Sequence, residues 1–294
     1  MFDKDLRIEF GSERLLPAIC AGFNTGFADY KYGVQMDEPQ MVKFLERSGI
    51  DLEHSAVLLQ KNDAGWHGAG VALVAIVDGE AWCSGLAVAP PLRGAGLGRR
   101  LMETIQARAR AAGARSMRLE VLVHNTPALQ LYTSLGYQPV RNLLFWRADS
   151  PTPPPVDVVD LHAVNVDEAL DAAYQWLSEP SAWQRTQRAV ALYRDELWAY
   201  KMQDRQGVAG WVICLPTAPQ EPGRPRLRIM TLAVRPGNNE ATLAYHLLAS
   251  LRAHRSATVF SIINEPEASL FTPALQATGF VEADRQIEMT LSLR

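Results

Sequence analysis

The residues with the most chemical content lie in one run, Leu86-Ala-Val-Ala-Pro-Pro-Leu-Arg-Gly-Ala-Gly-Leu-Gly-Arg-Arg100. An apolar strand ends near Val88, and Pro90-Pro91 stops it because proline lacks the backbone donor a ladder needs. Three glycines at alternate positions, Gly94, Gly96 and Gly98, then open a helix. Glycine lets the backbone approach a ligand and adopt conformations closed to other residues. The helix N-terminus adds unpaired N–H groups and a positive dipole end. Arg93 adds a charged donor fork, so the run reads as a pyrophosphate site. It is not a Walker loop, because no Gly-Lys-Ser/Thr comes after it. Nor is it a full dinucleotide fingerprint: Arg99 stands where G-x-G-x-x-G needs its last glycine, and the motif lies 86 residues into a meander of strands. Glu120 falls roughly where an acidic ribose ligand would, which keeps a dinucleotide reading open.

The elements that must position this run are set by periodicity and turn chemistry. Residues 55–60 and 70–77 read as strands around an Asn62-Asp-Ala-Gly65 turn, and Asp78-Gly79 is a tight hairpin signal before a strand over 81–88. A helix is predicted over 96–112, with Leu97, Leu101 and Ile105 on one face and Gly113 as its stop. A strand over 116–123, a short helix over 127–135 ended by Gly136, and a strand over 137–147 complete the half. The pattern then repeats. Leu86-Ala-Val-Ala-Pro90 returns 146 residues further on as Leu232-Ala-Val-Arg-Pro236, with Leu97 falling on Leu243 and Leu101 on Leu247. Asn125 and Leu-Gly136-Tyr137 find an echo in Asn264 and Thr-Gly279-Phe280. Between the copies, Pro151 to Pro155 hold four prolines in five residues, an extended and semi-rigid spacer. The expected organisation is a domain over 1–148, a linker over 149–157 and a second domain over 158–294. Each would be α+β, a mostly antiparallel sheet with helices on both faces.

Arg93-Gly-Ala-Gly96-Leu-Gly98 after Leu86-Ala-Val88 resembles motif A of the GNAT superfamily of N-acetyltransferases, Q/R-x-x-G-x-G/A. The run Asn125-Thr-Pro-Ala128-Leu-Gln-Leu131-Tyr132-Thr-Ser-Leu-Gly136-Tyr137 resembles its motif B. The two cover about 50 residues in the family's order and distance, and the strand pattern covers the whole first half. The resemblance implies acetyl-CoA as donor and no metal. It implies that the backbone N–H groups of Arg93, Gly94, Ala95, Gly96, Leu97 and Gly98 hold the pyrophosphate. Pantetheine would run beside Leu86, Ala87 and Val88, where that strand and 116–123 splay apart. Tyr132 matches the tyrosine that serves the family as general acid, and the Val88 N–H would meet the oxyanion.

Acetyl transfer requires a neutral amine, a donor for the tetrahedral oxyanion and a proton for the departing thiolate. Asn125 is placed to cap the short helix and also to reach the pantetheine or the acceptor. Glu120 is a carboxylate in an otherwise apolar strand; it is either a base acting through water or a partner of Arg118 or Arg141. His124, beside Asn125, reads as a surface residue. The acceptor pocket is expected from residues 21–33, where Phe27, Asp29 and Tyr30 would suit a cationic primary amine. Cys20, Cys83 and Cys214 are scattered and read as core residues. In the second copy Arg93, Gly96 and Gly98 correspond to Asn239, Thr242 and Ala244, and Tyr132 to Leu275. That half is therefore expected to keep the fold and lose CoA.

The chain has 294 residues, 48% of them hydrophobic and 21% charged, with 29 basic and 32 acidic side chains for a net charge of −3. A globular two-domain chain fits this; a disordered one does not. Without a basic excess, nucleic acid is not expected as a partner. With no long apolar run and no apolar leader, neither a membrane span nor export is expected, and the location is expected to be cytoplasmic, as a monomer or homodimer. Two classes compete: an acetyl-CoA-dependent acyltransferase, and a non-catalytic CoA-binding sensor or interaction module on the same fold.

Overall fold

The computed structural model describes residues 4–33, 35–149, 158–177, 179–218, 224–255 and 258–294. The proline run of the expected linker lies outside the described residues. The chain forms two compact units, one of residues 1–140 with 288–294, the other of residues 141–287.

The first unit contains β1 (Leu6–Phe10), α1 (Leu16–Gly26), α2 (Glu38–Ser48), β2 (Ala56–Asn62), β3 (Gly65–Val77), β4 (Glu80–Val88), α3 (Leu97–Ala111), β5 (Ser116–Leu122) and α4 (Thr126–Ser134). β1 to β4 form an antiparallel meander, and β5 lies parallel to β4. Asp78 at φ 51° and Gly79 at φ 79° make the two-residue β3–β4 turn with the left-handed dihedrals its twist requires. Alternation along the strands sorts the core. Ile19, Phe23, Met41 and Leu45 of α1 and α2 bury one face with Val57, Leu59, Val71, Leu73 and Ala87. The next residue, Leu86, points the other way, toward Gly98 of α3. On α3, Leu97, Leu101, Met102, Ile105 and Ala109 are buried, the stripe expected of an amphipathic helix. α1 lies backbone-to-backbone on β3: a Cβ on Gly68 would stand 1.7 Å from the Ala18 carbonyl oxygen. Residues 21–26, expected within the variable acceptor region, are thus the end of a packed helix, and the loop is confined to residues 27–33.

The second unit contains β6 (Gln138–Ala148) from Arg141 on, β7 (Leu161–Ala163), α5 (Val166–Gln175), α6 (Gln187–Ala191), β8 (Trp198–Asp204), β9 (Gly207–Thr217), β10 (Arg226–Val234), α7 (Glu240–His254), β11 (Val259–Pro266), α8 (Thr272–Ala277) and β12 (Val281–Ser292) up to Ile287. β8, β9 and β10 form a meander, with β11 parallel to β10. α5 and α6 cover one face with Trp211, Ile213 and Met230; α7 and α8 cover the other with Val212, Leu232 and Phe260.

The compact units differ from the sequence halves by one strand each. Leu143 to Ala148 pair with Pro266 to Phe260 inside the second unit. The last seven residues complete the first unit, where the Leu293 N–H donates to the Arg115 carbonyl at 2.9 Å and Arg110 Nε donates to the Leu293 carbonyl at 2.6 Å.

Candidate active site

The site begins where two strands separate. β4 and β5 pair at Glu80↔Ser116, Ala81↔Met117 and Trp82↔Arg118, and their ladder goes no further. At the same level β4 is bulged: Leu73 faces Gly85 and Val74 faces Cys83, which leaves Ser84 as the extra residue. Strand periodicity alone does not locate such a bulge.

Past Val88 a single 3₁₀ turn, Pro90–Leu92, leads to the glycines. Gly94 and Gly96 stand at φ 79° and 76°, left-handed values that favour glycine, and a Cβ on either would meet nothing within 4 Å. Gly96 is the N-cap of α3 and offers no side-chain bond, so the first-turn N–H groups face outward without an intrahelical acceptor. A Cβ on Gly98 would lie 3.4 Å from Leu131. These features share one cleft of about 730 Å³, walled by Leu86, Ala87, Val88, Arg93, Gly94, Gly96, Leu97 and Gly98 on one side and by Phe27, Asp29, Tyr30 and Asn125 on others. Ala95, Glu120 and Tyr132 do not line it.

Several expected roles change here. Arg93 does not reach out as a phosphate fork. It donates to both Asp29 carboxylate oxygens at 2.7 and 2.8 Å, to the Gly26 carbonyl at 3.0 Å and, through Nε, to the Val88 carbonyl at 2.9 Å. The guanidinium therefore ties the end of α1 and the adjoining loop to the end of β4. Asp29, expected to meet a cationic amine, is already paired; the Arg93 guanidinium holds its carboxyl below the usual range. Phe27 and Tyr30 stack edge-on at 5.4 Å, and a Cβ on Gly85 would lie 3.5 Å from the Phe27 ring. These two do form a cleft wall.

Asn125 Oδ1 accepts from the Ala128 N–H at 3.3 Å and caps α4 as expected, while its residue also lines the cleft. Glu120 is held from the neighbouring strand. Its Oε2 accepts from the Trp82 indole N–H at 2.7 Å, and Arg118 donates to Glu80 at 2.8 Å. Tyr132 is 7% exposed, edge-on to Tyr137 at 5.8 Å. Burial, with Cys83, Tyr137 and Tyr30 in electrostatic reach, pushes its hydroxyl well above the ordinary tyrosine range. Cys83 is buried with its thiol pushed up to about 12, which fits the core role. Sequence spacing singles out neither Lys31 nor Arg99, and marks His124 only as a surface residue; all three line the cleft. Among the described residues no cluster of three metal-binding side chains occurs, and no helix is long and apolar enough to cross a membrane.

Residues 28–137 match the Acetyltransferase (GNAT) family. The first unit is a GNAT domain. A 61-residue stretch is 52% identical to N-alpha-acetyltransferase 80 of Mus musculus; it covers 20% of this chain and 18% of that protein, so the match spans less than a fifth of the relative's length. Likeness of fold extends over the whole chain. A GCN5-related N-acetyltransferase from Sphaerobacter thermophilus superposes with a TM-score of 0.65 at 19% identity, over 100% of this chain and 98% of the other. A tandem GNAT protein from the clavulanic acid biosynthesis pathway superposes with a TM-score of 0.67 at 17% identity, over 99% of each chain.

The second unit keeps the GNAT framework. β10 and β11 pair at Arg226↔Val259, Leu227↔Phe260 and Arg228↔Ser261 and then part, with Met230 as the bulged residue. The cradle differs. α7 starts at Glu240, the counterpart of Gly94, so the stretch that forms an open loop before α3 is here the helix's first turn. Asn239, Thr242 and Ala244 replace Arg93, Gly96 and Gly98, and without left-handed glycines the helix propagates backward. Glu240 Oε1 accepts from the Gly237 N–H at 3.0 Å. A carboxylate thus takes one of the loop N–H groups. Leu275, the counterpart of Tyr132, is fully buried.

Proposed function

We propose that the first unit is an acetyl-CoA-dependent N-acetyltransferase that transfers the acetyl group directly to a primary amine. One observation carries this: the β4–β5 ladder ends after three pairs beside an uncapped, glycine-opened helix N-terminus, in a cleft of about 730 Å³. The N–H groups of residues 94–98 and the dipole of α3 hold the pyrophosphate. Lys31 and Arg99 add positive charge at the rim. The parted edge of β4 supplies backbone partners for the pantetheine, and the Val88 N–H meets the oxyanion.

The acceptor amine attacks the thioester carbon, the C–S bond breaks, and the thiolate takes a proton. Tyr132 is the donor in this reading, on its match to motif B; its buried hydroxyl is protonated through the neutral range. The amine gives up its proton to Glu120, held by Trp82, or to His124 at the cleft wall. With Asp29 engaged by Arg93, the acceptor's own charge is not what the pocket reads. Phe27 and Tyr30 read its apolar part instead. The α-amine named in the mouse relative is one acceptor class to screen.

The sensor reading draws on Tyr132 standing behind the cleft rather than in its lining. Release of free CoA thiol from acetyl-CoA across a panel of amines decides between them. Amine-dependent thiol release supports the enzyme. Tight CoA binding with no release on any amine supports the sensor.

A further inference from the structure

The second unit has a cavity of its own, about 230 Å³, where β10 and β11 part. It is too small for a CoA thioester, and Glu240 stands in its lining where the first unit has Gly94. An anion there would meet like charge. The described lining carries three carboxylates, Glu179, Glu240 and Glu265, against one cation, Arg185. Arg185 is spoken for: Nη2 lies 2.6 Å from Glu265 Oε2, with the two side chains 11% and 5% exposed. Nη1 donates to the Ile229 carbonyl at 3.4 Å, and the Arg185 backbone carbonyl accepts from Tyr174 Oη at 2.7 Å. The ion pair is thus anchored in the wall, leaving excess negative charge around an apolar space. Trp176 and Phe271 supply aromatic surface to that space.

We propose that this cavity binds a small organic cation, a primary ammonium on an apolar body of about ten heavy atoms, at a site separate from the acetyl-transfer cleft. The ammonium lies toward Glu240 and Glu179, and the apolar body against Trp176 and Phe271. Burying such a cation against carboxylates in an apolar pocket is favourable where the same space would reject a phosphate.

The test is titration calorimetry of the full chain with phenethylamine, phenylacetate and L-phenylalanine, each repeated in saturating CoA. CoA carries no acetyl group and blocks the first cleft without turnover. Phenethylamine should bind once per chain, equally with and without CoA, and phenylacetate should not bind. Ala268→Trp places a bulky ring at the exposed cavity wall without touching the core, and should weaken the amine at least tenfold with an unchanged melting temperature. Glu240→Gln should weaken it severalfold. No binding by the wild type, binding abolished by CoA, or affinity unchanged in Ala268→Trp would overturn the site. Phenylacetate or L-phenylalanine binding more tightly than the amine would overturn the ligand class. The thiol-release assay stands or falls independently of all these outcomes.

Discussion

Gly96→Ala separates the cradle's chemistry from the fold that presents it. Gly96 stands at φ 76° and an added methyl meets nothing within 4 Å, so the free protein feels dihedral strain alone. A left-handed alanine costs ~1–2 kcal/mol. Replacing glycine restricts the unfolded chain and returns ~0.4–1 kcal/mol. The net loss is on the order of 1 kcal/mol, roughly 2–4 °C in melting temperature for a unit of this size. That strain is present with and without CoA and cancels in the dissociation constant. Any loss of affinity must come from the methyl holding the pyrophosphate away from the N–H donors. One charge-assisted hydrogen bond is about 1.5–3 kcal/mol, or roughly 10- to 100-fold in Kd. Gly113 provides the control, since it stands at φ 88° past the far end of α3, also with nothing within 4 Å. Gly113→Ala should lower the melting temperature by the same few degrees and leave CoA binding alone. Calorimetry with CoA and thermal melts on the three proteins decide the matter. If Gly96→Ala binds CoA as tightly as Gly113→Ala does, the pyrophosphate cradle is refuted whatever the melting temperatures show.

The other expectations rest on the same geometry. Tyr132→Phe keeps the ring and its packing, and should lower kcat by about 10²–10⁴-fold while leaving the KM for acetyl-CoA near its wild-type value; equal kcat would remove Tyr132 from the reaction. Arg93→Ala removes the bonds to Asp29, Gly26 and Val88 and should raise the acceptor KM more than Asp29→Ala, which removes only the first; weaker CoA binding in Arg93→Ala alone would return the arginine to the phosphates. The full chain should bind one CoA, because the second cradle is folded into α7, and a calorimetric stoichiometry of two would contradict this. Burial pushes the Cys83 and Cys214 thiols up to about 12 and raises the Tyr132 and Tyr137 hydroxyls. The native state then holds protons that the unfolded chain releases from about pH 9 upward. Stability should be full below that pH and fall between about 9 and 12, and an unchanged urea midpoint at pH 10.5 would contradict it.

What the sequence determined by itself is local. The alternate glycines after Pro90-Pro91, the stripe of Leu97, Leu101 and Ile105, the Asp78-Gly79 turn and the Asn125 cap each rest on dihedral preference or on bonds within a few residues. Each therefore appears where the spacing places it. The duplication was legible for the same reason, since each copy repeats its own periodicity. The tertiary structure decided which distant groups meet. Arg93 is 64 residues from Asp29, and Trp82 is 38 from Glu120. A charged fork read alone looks made for phosphate, and a carboxylate in an apolar strand looks made for a neighbouring arginine. The packed chain brings other partners within 3 Å: Arg93 donates to Asp29, and Glu120 accepts from the Trp82 indole. The allocation of β6 to the second unit is of the same kind. Apolar side chains fit a strand to a sheet face, but they do not say which sheet accepts its edge. Only the ladder joining Leu143 to Ala148 with β11 does.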